Sequence, residues 1–443
     1  MTAGGDKGGM QRSANTGGLA DDLDFRGLLH QASDPCVPAR LGEGGVTVYT
    51  GFDPTANSLH VGHLLPIFTL RRFQIAGNRP IVVAGGGTGM VGDPSGRSEE
   101  RNLLGQDELA ANLEAISGQL AELLDFSRGA GSSQAVMADN SSWLGQIGLL
   151  DFLREIGKHF SVSQMVAKDS VRSRLETREE GISYTEFSYM LLQAYDFLHL
   201  YDSFGCRLQM GASDQWGNIT MGIDLIRRLR ESQVWGLTIP LLTRPDGGKF
   251  GKTAQGTVWL DPNRTSPYEL YQYFLNSEDG SVATYLRYLT FLSHDEILSL
   301  DTAVREHPEL RLAQRTLAAE VTASVHGHDR AASAIKISEA LFGDQISALN
   351  EDELLMALSE APSSTMSREV LLDRSLNLVD LFASSSLEAS KASARRTIGQ
   401  GGAYVNNLRK DDPEIVLGPE NLLCGKYLLL RKGKRSQHLV RFE

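Results

Sequence analysis

Along the first 260 residues, short apolar runs alternate with longer stretches in which apolar residues recur at helical spacing. The runs lie at 46–49, 80–84, 134–137, 206–210 and 236–242, and their composition is typical of buried strands. Helical spacing covers 59–74, 107–124, 150–160, 162–175, the stretch from about 185, and the stretch up to about 230. This alternation predicts a Rossmann-like, doubly wound parallel sheet, whose ligands bind beyond the carboxyl ends of the strands.

The stretch after the first strand contains two histidines at a predicted helix start. In VTVYTGFDPTANSLHVGH (46–63), His60 and His63 are three residues apart and so share a face. The N–H groups and the positive dipole end of a helix N-terminus suit phosphate. Ordinary half-buried histidines are the alternative. Gly62 favours a site, because glycine at a helix start costs about 1 kcal/mol unless close approach requires it.

A glycine-rich loop, GGGTGMVGDPSGR (85–97), follows the second strand. Its glycines allow the backbone to approach a ligand closely, and a plain loop is an equally good interpretation. It is not a dinucleotide-binding fingerprint, because no helix follows directly and Asp93 with Pro94 stops the run. Arg97 and Arg101 lie just beyond, where they either reach a phosphate or are simply exposed.

The helix that begins near Thr185 carries a stripe of polar side chains. Tyr189, Gln193 and Asp196 stand at positions i, i+4 and i+7 and therefore share a face, while the other faces are apolar. Such a stripe is either the solvated side of a helix or the wall of a polar pocket for a small zwitterion.

A second glycine-rich segment, RPDGGKFGKT (244–253), follows the fifth strand. Gly251-Lys252-Thr253 is similar to the end of a P-loop, but that motif requires glycine where Asp246 stands. We interpret the segment as a mobile loop whose Lys249 and Lys252 close on phosphates.

Charge and composition limit the class of protein. The net charge is -12, yet residues 426–441 carry six Lys and Arg and no acidic residue, as in an acidic protein that holds nucleic acid by a selected patch. A solvated basic tail is the alternative. The three cysteines lack metal spacing, so we expect reduced thiols in a cytoplasmic protein, and no apolar run is long enough to span a membrane.

The organisation of the whole chain follows from these patterns. We predict a disordered tail over 1–21, a catalytic domain over 22–262, a helical domain over 263–343, a linker region over 344–375 and a small α/β domain over 376–443. In the last domain, Lys391, Arg395 and Arg396 fall on a helix that precedes a Gly401-Gly402 turn and a strand.

Two short motifs now identify a resemblance. HVGH (60–63) resembles the HIGH motif of class I aminoacyl-tRNA synthetases, and KFGKT (249–253) resembles their KMSKS motif. Between and around them, YTGFDPTANSLHVGH, FTLRRFQ, GDPSGR, YMLLQAYDF and ASDQWGN are similar to bacterial tyrosyl-tRNA synthetase, over nearly all of the chain from about Asp22. The small last domain resembles an RNA-binding domain shared with a ribosomal protein and pseudouridine synthases.

The resemblance implies a role for each matching residue. Tyr49 and Asp196 would hold the phenol hydroxyl of tyrosine, and Asp93, Tyr189, Gln193 and Gln215 would surround its ammonium group. Gly51, Asp53, Gly211 and Asp214 would bind the nucleoside of ATP or shape its site, while Thr55, His60, His63, Lys249, Lys252 and Thr253 would contact its phosphates. Arg97 and Arg101 would assist pyrophosphate departure, and Lys391, Arg395 and Arg396 would bind RNA.

The implied reaction joins L-tyrosine to tRNA(Tyr) through tyrosyl-adenylate. ATP enters as a substrate together with Mg²⁺, no residue is expected to hold a resident metal, and no permanent cofactor is needed. A homodimer is implied by the family. One departure is Pro66, which lies inside the predicted first long helix and should kink it or remove a hydrogen bond.

Three alternatives remain at this point. A tryptophanyl enzyme shares the fold and motifs, but the polar pair of Tyr49 and Asp196 suits an indole poorly. A catalytically silent RNA-binding relative would not need His60, His63 and the two loop lysines. Another nucleotidyltransferase with the histidine motif would not explain the C-terminal domain.

Overall fold

A computed structural model describes residues 18–95, 104–168, 171–172, 175–176, 181–243, 248, 250–253, 256–342, 345–358, 361–433 and 436–443. The chain forms two compact units. The first comprises Met1–Thr265 and Asn276–Val321, and the second comprises Ser266–Leu275 and Thr322–Glu443. The predicted helical domain, 263–343, thus contributes residues to both units, and its boundaries stay a prediction.

The strands are β1 (Gln31–Ala32), β2 (Thr47–Phe52), β3 (Arg79–Ala84), β4 (Val136–Asp139), β5 (Leu208–Ala212), β6 (Trp235–Ile239), β7 (Lys252–Thr253), β8 (Gly256–Thr257), β9 (Ser363–Met366), β10 (Ala403–Val405), β11 (Leu408–Lys410), β12 (Tyr427–Lys432) and β13 (Ser436–Phe442). The helices of the first 230 residues are α1 (Gly18–Phe25), α2 (Val37–Glu43), α3 (Leu64–Ile75), α4 (Gln106–Leu123), α5 (Ser141–Leu144), α6 (Leu149–Asp151), α7 (Val162–Val166), α8 (Tyr184–Phe204) and α9 (Trp216–Arg230). Those that follow are α10 (Pro267–Leu275), α11 (Asp279–Leu289), α12 (His294–Glu306), α13 (Leu312–His326), α14 (His328–Phe342), α15 (Glu351–Ala357), α16 (Glu369–Leu372), α17 (Leu378–Ser384) and α18 (Lys391–Gly399).

The sheet of the first unit has the strand order β1-β6-β5-β2-β3-β4. From β6 to β4 all neighbours are parallel, whereas β1 joins the edge of β6 antiparallel. The predicted doubly wound parallel sheet is therefore confirmed, with one added edge strand that is too short to show a pattern. The chain runs outward from β2 to β3 on one side and from β5 to β6 on the other, so the topological switch point lies between β2 and β5.

The helix after β2 begins later than its apolar pattern indicates. Residues Val61–His63 form a single 3-10 turn, and α3 begins only at Leu64. Pro66 therefore lies in the first turn of α3, where its missing N–H would have no partner within the helix in any case. The expected kink or lost hydrogen bond at Pro66 is wrong for this reason.

A buried ionic cluster joins α1, α3 and the chain after α11. The Nε of Arg26 donates to Oδ1 of Asp22 at 2.7 Å, and the Nε of Arg72 lies 3.5 Å from Oδ2 of the same carboxylate. Arg26 also donates to the carbonyls of Thr290 and Leu292 at 3.0 and 2.6 Å. Since each guanidinium has oxygen partners, the charges are compensated, and the cluster holds α3 and the histidine turn before it in place.

The second unit contains a five-stranded sheet in the order β11-β10-β12-β13-β9. Helices α17 and α18 cover one face of it with a core that includes Leu381, Ile398 and Leu430. Strands β13 and β9 pair in parallel. Strand β9 lies in the region predicted as a linker, 344–375, which also contains α15 and α16. The linker prediction is wrong for β9, because a four-residue edge strand of Ser, Thr and Met has no apolar run to reveal it.

The predicted tail, 1–21, needs a similar correction. Residues 18–21 belong to α1, whose Leu19 and Leu23 are buried, while residues 1–17 lie outside the described part of the chain. Among the residues that the structure describes, no helix is both long and apolar enough to cross a membrane.

Candidate active site

A cavity of about 530 Å³ opens at the carboxyl ends of the central strands, beside the switch point between β2 and β5. It is lined by residues from β2, β5, α8, the histidine turn and the loops after β3, β4 and β6. The lining includes these predicted residues: Tyr49, Gly51, Asp53, Thr55, His60, His63, Asp93, Tyr189, Gln193, Asp196, Gly211, Asp214 and Gln215. Segments that are far apart in the sequence thus converge on one space.

The deep end of the cavity is formed by Tyr49 and Asp196, which are 2% and 3% exposed. The Oη of Tyr49 has no hydrogen-bond partner within the described part of the chain. The Oδ2 of Asp196 accepts from Asn140 Nδ2 at 2.9 Å, and its Oδ1 accepts from Trp143 Nε1 at 2.7 Å. Burial raises the pKa of Asp196 to about 7 despite these two donors, and burial also raises the pKa of Tyr49 well above 10. A hydroxyl that fits here would meet both a donor and an acceptor.

Asn140 connects the deep end to the loop after β3. Its Nδ2 also donates to Thr88 Oγ1 at 3.0 Å, and its Oδ1 accepts from the backbone N–H of Gly87 at 2.7 Å. Thr88 in turn donates to Asp53 Oδ1 at 2.9 Å. Asn140, Trp143 and Thr88 were not among the residues predicted from the sequence. Asn140 had a usable signal, since it follows β4 at the carboxyl edge of the sheet, but nothing local marks Trp143.

A second polar cluster lines the neighbouring wall and is rich in acceptor oxygens. The Nε2 of Gln215 donates to Asp93 Oδ2 at 2.7 Å, and Gln193 donates to Gln215 Oε1 at 3.3 Å. The Oη of Tyr189 donates to the carboxylate of Asp53 at 3.3 Å. Two carboxylates beside amide and phenol oxygens suit a cation such as an ammonium group.

The polar stripe on α8 is therefore a pocket wall and not a solvated face. Tyr189 and Asp196 are buried, and Gln193 is half-buried among polar partners. Asn218, which the sequence analysis also missed, donates to Gln193 Oε1 at 3.1 Å and to Ser95 Oγ at 3.4 Å. It comes from the first turn of α9, one turn after Gln215, which is a helical spacing that the sequence does contain.

The two histidines of the motif are fixed by the backbone of their own turn. His60 Nδ1 accepts from the N–H of Gly62 at 3.0 Å, and His63 Nδ1 accepts from the N–H of His60 at 3.0 Å. The rings stack with centroids 3.9 Å apart. Because both Nδ1 atoms are acceptors, each neutral ring carries its proton on Nε2. Burial lowers the pKa of His63 well below 6.5, and the neighbouring His60 lowers it further, so at neutral pH His63 is an uncharged donor.

Two glycines, one in the histidine turn and one in the loop after β3, allow close contacts within the chain. A Cβ at Gly62 would lie 2.8 Å from Cε1 of His60, and a Cβ at Gly85 would lie 2.4 Å from Oδ1 of Asp53. Close approach is required at each position, as predicted for Gly62. In each case the neighbour is a side chain of the site itself.

Several predicted phosphate-binding residues lie outside the described residues. These are Arg97, Arg101 and Lys249, together with the side chains of Lys252 and Thr253. The backbone of Lys252 and Thr253 forms β7, which pairs with β8. Phe250 just before them is buried, lines the cavity and packs edge-on against Tyr285 with ring centroids 5.1 Å apart.

The predicted RNA-binding residues lie on α18, in the second unit, and are all exposed. Lys391 Nζ lies 2.7 Å from Asp380 Oδ1, and an Arg395 guanidinium nitrogen lies 3.1 Å from Glu414 Oε1. Exposed pairs of this kind contribute at most about 1 kcal/mol, so a phosphate can replace either carboxylate at little cost.

No group of three or more His, Cys, Asp or Glu that could hold a metal ion occurs in the ranges that the structure describes. The polar groups of the cavity are instead spread along its length, with acceptor oxygens at one end and neutral imidazole donors at the other.

Comparison with known protein families separates the chain into two matched regions. Residues 42–343 match the family described as tRNA synthetases class I (W and Y), which is about two thirds of the chain. Residues 353–440 match the family described as the tyrosine–tRNA ligase SYY-like C-terminal domain.

Individual relatives agree over nearly the whole length. A tyrosine–tRNA ligase of Opitutus terrae is 51% identical over 424 residues, which cover 96% of this chain and 99% of that protein. A tyrosine–tRNA ligase of Geobacillus stearothermophilus is 49% identical over 426 residues, again covering 96% and 99%. The crystal structure of a C-terminally truncated mitochondrial tyrosyl-tRNA synthetase of Aspergillus nidulans has a TM-score of 0.66 and 32% identity, covering 74% of this chain and 94% of that one. The chain therefore belongs to the tyrosine–tRNA ligase family of class I tRNA synthetases.

Proposed function

We propose that this chain attaches L-tyrosine to tRNA(Tyr) in two steps. In the first step, the tyrosine carboxylate attacks the α-phosphorus of ATP, a C–O–P bond forms, and pyrophosphate leaves with the electrons of the broken P–O bond. In the second step, a terminal ribose hydroxyl of the tRNA attacks the activated carbonyl, and AMP leaves. The observation that carries this proposal is that Tyr49 and Asp196 are both buried at the deep end of one cavity.

The deep end selects the phenol. The Tyr49 hydroxyl donates a hydrogen bond to the phenol oxygen of the substrate. The Asp196 carboxylate accepts a hydrogen bond from the phenol hydroxyl. Phenylalanine would leave these buried groups without their partners, which costs about 1–3 kcal/mol for each neutral group and more for a charged one. The substrate ammonium group lies against Asp93, Tyr189, Gln193 and Gln215, where the acceptor oxygens cluster.

The other end of the cavity binds ATP. Gly51, Asp53, Gly211 and Asp214 lie where the nucleoside fits between the strand ends and the loops. The Nε2–H groups of His60 and His63 donate to phosphate oxygens without adding fixed charge, and Thr55, which also lines the cavity, adds a hydroxyl donor. Lys249, Lys252, Thr253, Arg97 and Arg101 supply further donors to the departing pyrophosphate.

The first step requires no general base, since the tyrosine carboxylate is ionised at neutral pH, and in the second step the proton of the ribose hydroxyl leaves with the AMP phosphate. The protein supplies orientation of the two substrates and donors aimed at the charge that develops on the phosphates. Mg²⁺ enters with ATP as part of the substrate and offsets charge on the β- and γ-phosphates.

In the second unit, Lys391, Arg395 and Arg396 form part of the surface that holds tRNA, on a domain spanning 376–443. The protein acts in the cytoplasm as a homodimer. Support for the dimer comes from α6 and α7, where Leu149, Leu150 and Val162 are 72%, 79% and 65% exposed, apolar side chains that a second subunit would cover.

The test is ATP–pyrophosphate exchange driven by tyrosine, with phenylalanine and tryptophan assayed in parallel. We expect exchange with tyrosine alone. Exchange with tryptophan would instead support the tryptophanyl alternative and overturn the role of Tyr49 and Asp196. No exchange with any amino acid, in folded protein, would support a silent RNA-binding relative.

A further inference from the structure

Residues 258–260, which follow β8, are attached by hydrogen bonds to the histidine motif. The N–H of Leu260 donates to the carbonyl of Leu59 at 2.8 Å, and the N–H of Val61 donates to the carbonyl of Val258 at 3.1 Å. Between these bonds, His60 and Trp259 form an antiparallel bridge. The backbone of the motif is thus held by the chain that returns from the loop.

The indole of Trp259 continues this attachment at the level of the side chains. Its ring lies edge-on to the His60 ring, with centroids 6.3 Å apart and planes at 61°. Arg264 lies over the indole, with its Cζ 3.5 Å from the ring centroid, and donates to Asn57 Oδ1 at 2.6 Å. The indole is therefore held between the imidazole that it touches and a guanidinium that is itself fixed.

The same segment also closes the glycine-rich loop. The N–H of Val258 donates to the carbonyl of Gly251 at 2.8 Å, and Gly251 has a φ of 80°. A Cβ at Gly251 would lie 2.5 Å from Cγ2 of Val61, so only glycine allows the loop to pack this closely on the histidine motif. Gly251, at the end of the loop, is therefore connected to His60 through residues 258–260.

We propose that Trp259 is a positioning residue for ATP activation, which sets the tilt of the His60 imidazole and so the direction of its Nε2–H. This inference rests on the proposed contact of His60 with the ATP phosphates. Trp259 does not line the cavity, so its effect would pass through His60. It acts together with two other contacts: Gly62 donates to Nδ1 of His60, the His63 ring stacks on the imidazole, and the indole of Trp259 meets the imidazole at a steep angle, so the three together set the plane of the ring.

The first test compares Trp259→Leu and Trp259→Phe with a matched control, Trp235→Phe. Trp235 is a buried indole at the amino-terminal end of β6, whereas the cavity lies at the carboxyl ends of the strands. We expect Trp259→Leu to lower kcat/KM for ATP in pyrophosphate exchange by about 10-fold, the effect of losing one aromatic contact, with KM for tyrosine unchanged. Trp259→Phe should recover most of this loss, and Trp235→Phe should leave both constants unchanged.

The second test repeats Trp259→Leu in a His60→Asn background, since the Asn oxygen can still accept from Gly62 while the Nε2–H is lost. If Trp259 acts through His60, adding Trp259→Leu to His60→Asn should lower kcat/KM for ATP by less than about 2-fold. An undiminished 10-fold loss in that background would overturn the positioning role, as would normal kinetics of Trp259→Leu. If His60→Asn alone leaves the ATP kinetics unchanged, the proposed phosphate role of His60 is wrong, and the positioning role falls with it.

Discussion

The two ends of the cavity hold their polar groups in opposite ways. At the deep end, Asp196 is supported by Asn140 and Trp143, while Tyr49 has no hydrogen-bond partner among the described residues, and we propose that the substrate hydroxyl completes the network. At the histidine end, backbone N–H groups already occupy Nδ1 of His60 and His63 and leave Nε2 as the donor. A site for one neutral hydroxyl is kept buried and incomplete, whereas a site for charged phosphates is fixed in advance and kept neutral. We infer that the ends act separately, one on tyrosine affinity and the other on activation.

Asp196→Asn should give the largest effect, confined to tyrosine. The amide would turn its NH₂ group toward Asn140 or Trp143, which are both donors, and the charged acceptor for the phenol would be lost. These losses sum to about 4 kcal/mol, so we expect kcat/KM for tyrosine to fall about 10³-fold with KM for ATP unchanged. Steady-state pyrophosphate exchange measures both constants. An equal loss in the ATP constant would show that the two ends are coupled.

His63→Asn should affect the other end. The Asn oxygen replaces Nδ1 as the acceptor for the N–H of His60, so the turn is retained and only the Nε2–H donor is lost. Loss of one donor to developing charge lowers kcat by about 10²-fold. In single-turnover measurements of adenylate formation we expect this loss with unaltered tyrosine binding. His63→Gln is the matched control, because it removes the acceptor near Nδ1 and should also lower the thermal stability.

Tyrosine binding should weaken as the pH falls through about 7. The folded pKa of Asp196 is raised to about 7 by burial, so lowering the pH protonates the carboxylate and removes the acceptor for the phenol proton. Below the pKa, the dissociation constant should rise about 10-fold per pH unit. His63 stays neutral over this range because its pKa is lowered. Equilibrium binding between pH 5.5 and 8, measured without ATP, checks this, and a flat profile would contradict it.

Tyr49→Phe should give the smallest effect of the four changes. It removes one neutral hydroxyl and keeps the ring, whose centroid lies 5.3 Å from the centroid of the Phe197 ring. We expect tyrosine affinity to fall about 2- to 10-fold, the effect of one neutral hydrogen bond. Because phenylalanine makes no use of that hydroxyl, its affinity should stay the same or rise slightly. Competition between the two amino acids in the exchange assay measures the change in preference.

Much of this arrangement follows from short-range pattern. Alternating periods of apolar residues predicted the parallel sheet, and helical spacing placed Tyr189, Gln193 and Asp196 on one face. The rule that ligands bind at the carboxyl ends of parallel strands then brought separate loops together. These features could be predicted because each depends on spacing within a single element or on the topology of the sheet.

The remainder depends on contacts between residues that are far apart in the chain. Trp143 reaches Asp196 across 53 positions, and β9 exists only because it pairs with β13. No local period marks either one. The 3-10 turn at the histidines was missed for a different reason, since the capping of His60 and His63 by backbone N–H groups competes with the helix that their spacing favours.

The most direct test of the separate action of the two ends is equilibrium binding of tyrosine, without ATP, to the unchanged chain, Asp196→Asn and His63→Asn. Calorimetry gives the three affinities under one set of conditions. We predict that Asp196→Asn loses most of the affinity and that His63→Asn binds tyrosine as the unchanged chain does. Normal binding by Asp196→Asn, or an equal loss in His63→Asn, would contradict a cavity whose deep end selects tyrosine independently of the histidine end.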